Sequence, residues 1–161
     1  RKEAKKMISE KKIKINGKVA REENFPLSLF DVLSLEKKNF KIILSNKKFN
    51  LEEIKEKESG GKIAKIIGKK MMKKGKIQVN LSDGRNYLVK EKVRVGDSAV
   101  VSFKEGKISE ILPFKEGKEA ILIGGKHLGK TGVIEKIDKM IIVKIKEEKI
   151  NSKSENLMVI N

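Results

Sequence analysis

The chain has no cysteine, no tryptophan, one tyrosine, one histidine and two prolines among its 161 residues. Each shortage removes a class of chemistry. Without thiols there is neither a disulfide framework nor a thiolate zinc site, which suits a reducing compartment. The lone His127 has no cysteine or carboxylate cluster near it in sequence, so no metal centre is expected. Asp occurs only at positions 31, 83, 97 and 138, and Asp83 and Asp97 adjoin turn glycines, which leaves no candidate carboxylate pair for acid–base catalysis. Apolar runs are short, none approaching the roughly 20 residues that cross a bilayer. A signal-peptide pattern is missing too, and the helical segments lack the aromatic anchors of a membrane-surface helix. These shortages point to a cytoplasmic protein with no membrane partner.

What is abundant is lysine. The chain carries 39 Lys plus Arg against 22 Asp plus Glu, a formal charge of +17 and a sequence pI near 9.9, with Arg only at positions 1, 21, 85 and 94. Lys and Glu enrichment also marks heat-adapted surfaces, but that accounts for the number of charges and not for their imbalance. An excess of one sign repels itself unless a polyanion neutralises it, and RNA is the natural candidate. Aromatic residues make up only 4%, and most Phe lie within apolar alternation, where core positions are expected. That disfavours a single-strand binder that stacks bases on aromatic platforms and favours recognition of folded RNA by shape and phosphate.

Along the chain, Ala4, Met7 and Ile8 have helical spacing, so Arg1 to Glu10 reads as a short amphipathic helix. Ile13 and Ile15 then alternate with Lys12 and Lys14, and Asn16-Gly17 predicts a tight hairpin with one apolar and one cationic face. Alternation over Phe25–Leu35 predicts one or two strands, Asn39–Asn46 follows with the apolar run Phe40–Leu44, and Leu51–Lys57 reads as a helical turn. From Lys62 to Phe114, turn signals recur at Gly68, Gly75, Gly84, Gly96, Gly106 and Pro113, the cadence of a small antiparallel sheet or barrel. A last module follows, with strands at Ala120–Ile123, Gly132–Ile137, Met140–Lys146 and Leu157–Ile160. No internal repeat is seen. The fold class is therefore mostly β with minor α, in three small modules: residues 1–35, a central antiparallel β unit over 36–114, and a terminal small β-barrel over 115–161. Units this small bury little surface, so the modules are expected to pack on one another or to gain stability from RNA.

One motif points elsewhere. Gly124-Gly125-Lys126-His127-Leu128-Gly129-Lys130-Thr131 fits the phosphate-loop pattern G-x-x-x-x-G-K-S/T and follows a strand. A phosphate loop must enter a helix, and the Mg²⁺ needs a carboxylate on a later strand. Here Gly132-Val133-Ile134 follows, and Met140-Ile141-Ile142-Val143 ends in Lys144. A parallel nucleotide-binding sheet does not fit into the 30 remaining residues. The segment is therefore read as a basic, glycine-rich loop joining two strands, and no enzymatic activity, cofactor or small-molecule substrate is expected.

Taken as such a loop, Gly117 to Ile145 resembles the KOW motif, which implies a small barrel that contacts nucleic acid or protein. Glu3-Ala4, Met7-Ile8 and Ile13-Lys14-Ile15-Asn16-Gly17-Lys18-Val19 resemble the second half of the S-four type RNA-binding fold, whose hairpin reads V-x-V-N-G-x-V. With Phe25-Pro26, Phe30-Asp31-Val32-Leu33-Ser34-Leu35, Gly96-Asp97 and Gly106-Lys107-Ile108 in the same order, nearly the whole chain resembles the e-type ribosomal protein S-four family of archaea and eukaryotes. The resemblance implies a structural constituent of the small ribosomal subunit, archaeal in origin. Its partners would be small-subunit ribosomal RNA and neighbouring ribosomal proteins, with a monomer off the ribosome. It also implies a further helix and a basic extension ahead of Arg1, so the chain is expected to be incomplete at its N-terminus.

Phosphate binding needs long cations on a rigid scaffold. Lys12, Lys14 and Lys18 on the hairpin, followed by Arg21, are the first candidates. Lys69, Lys70, Lys73, Lys74 and Lys76 place five Lys in eight residues around Met71 and Met72, a density that phosphate or solvent must relieve. Lys118, Lys126, His127 and Lys130 form the third group, and the glycines around the last three would let a nucleic-acid backbone come close.

Overall fold

The computed structural model describes residues 2–36, 38–45 and 47–161, the side chain of Lys74 excepted. After one helix, α1 (Lys2–Ser9), the described chain is β-structured, in three antiparallel five-stranded sheets.

The first sheet contains β1 (Ile13–Ile15), β2 (Lys18–Val19), β3 (Val32–Leu35), β4 (Lys38–Ser45) and β5 (Lys48–Ile54), in the order β2-β1-β3-β4-β5. Asn16 and Gly17 take φ of 51° and 78°, the left-handed pair of a type I′ turn, as the dipeptide predicts. The sheet continues across Leu35, because β3 pairs with β4 from Val32↔Lys41 to Leu35↔Lys38. Leu51–Lys57 does not form the expected helical turn. Leu51 and Phe49 pair across the ladder with Ile42 and Leu44, and these cross-strand contacts override local helix propensity; only Glu56–Glu58 keeps a 3₁₀ turn. The alternation over Phe25–Leu35 likewise gives one short strand, preceded by a loop in which Phe30 turns through φ 65°.

The second sheet contains β6 (Gly61–Met71), β7 (Ile77–Leu81), β8 (Asn86–Val89), β9 (Ser98–Ser102) and β10 (Lys107–Leu112), in the order β10-β9-β6-β7-β8. β6 turns a corner: residues 61–65 pair with β9, while Ile66 and, after a register shift, residues 68–71 pair with β7. The sheet curls until its edges β8 and β10 flank one cleft. Ile66, Val79, Leu81 and Val101 are fully enclosed, and burial of side chains of this kind contributes about 1.5–3 kcal/mol each.

The third sheet contains β11 (Glu119–Leu122), β12 (Thr131–Lys136), β13 (Ile141–Ile145), β14 (Glu148–Ser152) and β15 (Leu157–Val159), in the order β14-β13-β12-β11-β15. β14 is absent from the sequence reading because Glu148 and Lys149 hide its alternation; only Ile150 and Ser152 are buried, as suits a charged edge strand.

The three sheets share their junctions. Phe30 and Leu44 of the first unit pack on Ile121 and Met158 of the third, with Ile63 of β6 against the same cluster. Lys65, buried on β6, donates to the backbone oxygens of Ser154 (2.7 Å) and Glu155 (2.9 Å) before β15.

Candidate nucleic-acid interface

The hairpin separates its lysines. A two-residue turn makes Ile15 the partner of Lys18 and Lys14 the partner of Val19. Directly paired residues share a face of the sheet, so Lys18 lies on the side of Ile15 and Lys14 on the other. The expected cationic face is thus divided, because crossing the turn inverts the alternation. Lys12 is held by Glu10 at 2.7 Å, and that hydrogen bond, with the charge of Glu10, raises its pKa above the ordinary lysine value. Among the described residues, Lys14, Lys18 and Arg21 are exposed and have no carboxylate within ion-pair distance.

Beneath this surface lies a buried ionic cluster. The Lys62 ammonium sits 2.6 Å from Asp31 Oδ1 and 2.5 Å from Asp83 Oδ2, all three side chains at most 5% exposed. Asp31 also accepts from the Asn16 amide (2.8 Å) and from the Ser28 N–H (2.8 Å), while Asn16 Oδ1 accepts the Val32 N–H (2.9 Å). Burial pushes the Asp31 carboxyl upward, but Lys62, Ser28 and Asn16 together outweigh it and hold the group below the usual carboxylate range. Asn16, expected only as a turn former, therefore helps to anchor the hairpin. The sequence signal was a pair of lysines, Lys62 and Lys65, interrupting the apolar run Ile63-Ala64 and Ile66-Ile67, where a charge is retained only when paired or hydrogen-bonded.

The second lysine group lies around the β6–β7 connection. Lys69 and Lys70 belong to β6, a 3₁₀ turn covers Lys73–Gly75, and Lys69 Nζ donates to Val93 O at 2.8 Å. Lys70, Lys73 and Lys76 are exposed, and the side chain of Lys74 lies outside the described residues.

In the third group, Lys126 and Lys130 are exposed, while Lys118 and His127 are half-buried. Lys130 Nζ stands 4.0 Å from a carboxylate oxygen of Glu148. The loop folds back on the protein, with Leu128 against the Phe30–Met158 cluster. A Cβ on Gly129 would come within 3.0 Å of Leu44 O, so that glycine makes room for the protein's own chain, contrary to the expectation that it opens the loop to nucleic acid. Thr131 starts β12, which pairs antiparallel with β11; the helix that a nucleotide phosphate loop requires is replaced by a strand.

Family comparisons agree with this arrangement. The model described as Ribosomal family S4e matches residues 36–108, and the S4 domain model matches residues 1–33. The small ribosomal subunit protein eS4 of Methanospirillum hungatei is 38% identical, the alignment covering 83% of this chain and 58% of that protein. With its namesake from Sulfurisphaera tokodaii the identity is 34%, over 98% of this chain and 73% of the relative. The chain belongs to the eS4 family. It spans under two thirds of the length of the Methanospirillum eS4 protein and nearly three quarters of the Sulfurisphaera one. The crystal structure of the 30S ribosomal protein S4e from Thermoplasma acidophilum shares the eS4 fold, with a TM-score of 0.89 at 24% identity, covering 99% of this chain and 85% of that one.

Proposed function

We propose that this eS4 chain is a non-catalytic constituent of the small ribosomal subunit, anchored through its cations to folded ribosomal RNA and lying against neighbouring ribosomal proteins in the cytoplasm. The observation that carries the reading is the distribution of exposed cations. Lys14, Lys18 and Arg21 come from the first unit, Lys70, Lys73 and Lys76 from the second, and Lys126 and Lys130 from the third. Separated contacts on one packed body suit a protein wedged into folded RNA, where phosphate contacts position it without reading bases. Lys12, Lys69, Lys74, Lys118 and His127 complete the contact set. Off the ribosome the chain is a monomer, with no cofactor or metal.

Titration of a small-subunit ribosomal RNA fragment over a salt series tests this. Affinity is expected to fall linearly on a log–log plot, with a slope of about −0.7 to −0.9 for each phosphate neutralised. Absence of binding at low salt, or binding indifferent to salt, refutes it.

A further inference from the structure

Beyond β2 the chain leaves the hairpin through Arg21 and returns at Phe25, leaving a hollow of about 310 Å³ at the join between the first two sheets. Ile15, Val19 and Phe25 supply its apolar wall, and Val19 and Phe25 keep 40% and 44% of their surface exposed. Three cations stand around it, Lys18 and Arg21 from the first unit and Arg85 from the turn between β7 and β8, against one carboxylate, Glu22. Arg85 is set there by the buried cluster: its Nε lies 3.8 Å from Asp83 Oδ2, and Asp83 is fixed through Lys62 to Asp31. The ionic junction thus places a guanidinium from the second sheet over a pocket built by the first.

We propose that this hollow receives one unpaired, unstacked nucleobase of the RNA, with its flanking phosphates on Lys18, Arg21 and Arg85. This rests on the RNA-binding reading above and names the RNA feature recognised. An apolar wall with an exposed aromatic ring matches the π-face of a base, which is sequence-tolerant, and the cationic surround matches the backbone on either side. Regular duplex keeps its bases stacked and can use only the cations. Phe25 therefore departs from the core role expected of the phenylalanines, and Arg85 enters as a contact residue that sequence position alone does not mark.

The test compares a 20-base-pair RNA duplex with the same duplex carrying a single-nucleotide bulge, each titrated with the full chain by fluorescence anisotropy. The bulged RNA is expected to bind about tenfold more tightly. Phe25→Ala should abolish that preference while leaving duplex affinity intact, and Phe25→Tyr, which keeps the ring, should retain it. Arg21→Gln and Arg85→Gln should each weaken binding of the bulged RNA and reduce its salt slope by about one. Equal affinity of the unsubstituted chain for the two RNAs, or a preference that survives Phe25→Ala, overturns the nucleobase pocket while the ribosomal reading stands. Failure to bind either RNA at low salt overturns both.

Discussion

Lys62 bridges two buried carboxylates, Asp31 just before β3 and Asp83 in the turn after β7, so its removal leaves like charges facing each other out of water. Breaking a buried pair in this way costs about 3–5 kcal/mol. Chemical denaturation of Lys62→Ala should show a loss of that size. Asn16→Ala strands the Val32 N–H and one Asp31 bond, and a loss of about 1–3 kcal/mol is expected. Protonation gives an independent readout. The folded pKa of Asp31 lies below its unfolded value, so the carboxylate's contribution is fully present above the usual carboxylate range and is lost as pH falls through the folded pKa. Unfolding measured from pH 6 down to pH 2 should show a shallower acid decline in Asp31→Asn than in the unsubstituted chain, from a lower starting stability.

At the scale of the element, the terminal loop and its following strand separate a consensus match from the chemistry it advertises. Gly132 lies in the β11–β12 ladder opposite Ala120, and a Cβ there would meet Lys144 O at 2.5 Å. Gly132→Ala therefore forces β12 away from β13, and a thermal scan should register about 1–3 kcal/mol of destabilisation. Because the phosphate-loop letters end in a strand, Mg-ATP should leave the melting temperature unchanged; a saturable rise lost in Lys130→Ala would contradict this. Element boundaries were legible at turns such as Gly96-Asp97 before β9 and Gly106 before β10, whereas Gly68, expected as a turn, sits at a register shift inside β6. They were illegible at β5, where cross-strand pairing competes with a helical pattern, and at β14, where charges mask the alternation.

Across the whole molecule, small sheets are fastened by contacts that skip the chain order: Phe30 on Met158, Asp31 on Lys62, Lys65 on Ser154 and Glu155. Each unit contributes side chains to a core cluster shared with another unit. The chain should therefore unfold in one transition, seen by coincident urea curves from backbone circular dichroism and Tyr87 fluorescence, and Met158→Ala should shift both curves together. The S-four type hairpin, the turn cadence, the cationic excess and the eS4 membership all follow from local residue order, because strand phase, turn chemistry and net charge are properties of neighbouring residues. Tertiary structure alone decided what became of each cation. Lys62 and Lys65 are internal, Lys69 is engaged by a carbonyl, Lys14 and Lys18 face opposite ways, and Arg85 joins a pocket made by Phe25. Alternation reports only which side of its own strand a lysine takes. Whether that side meets solvent, a carboxylate or another sheet depends on partners such as Asp31 and Ser154, 31 and 89 residues away in the chain from Lys62 and Lys65.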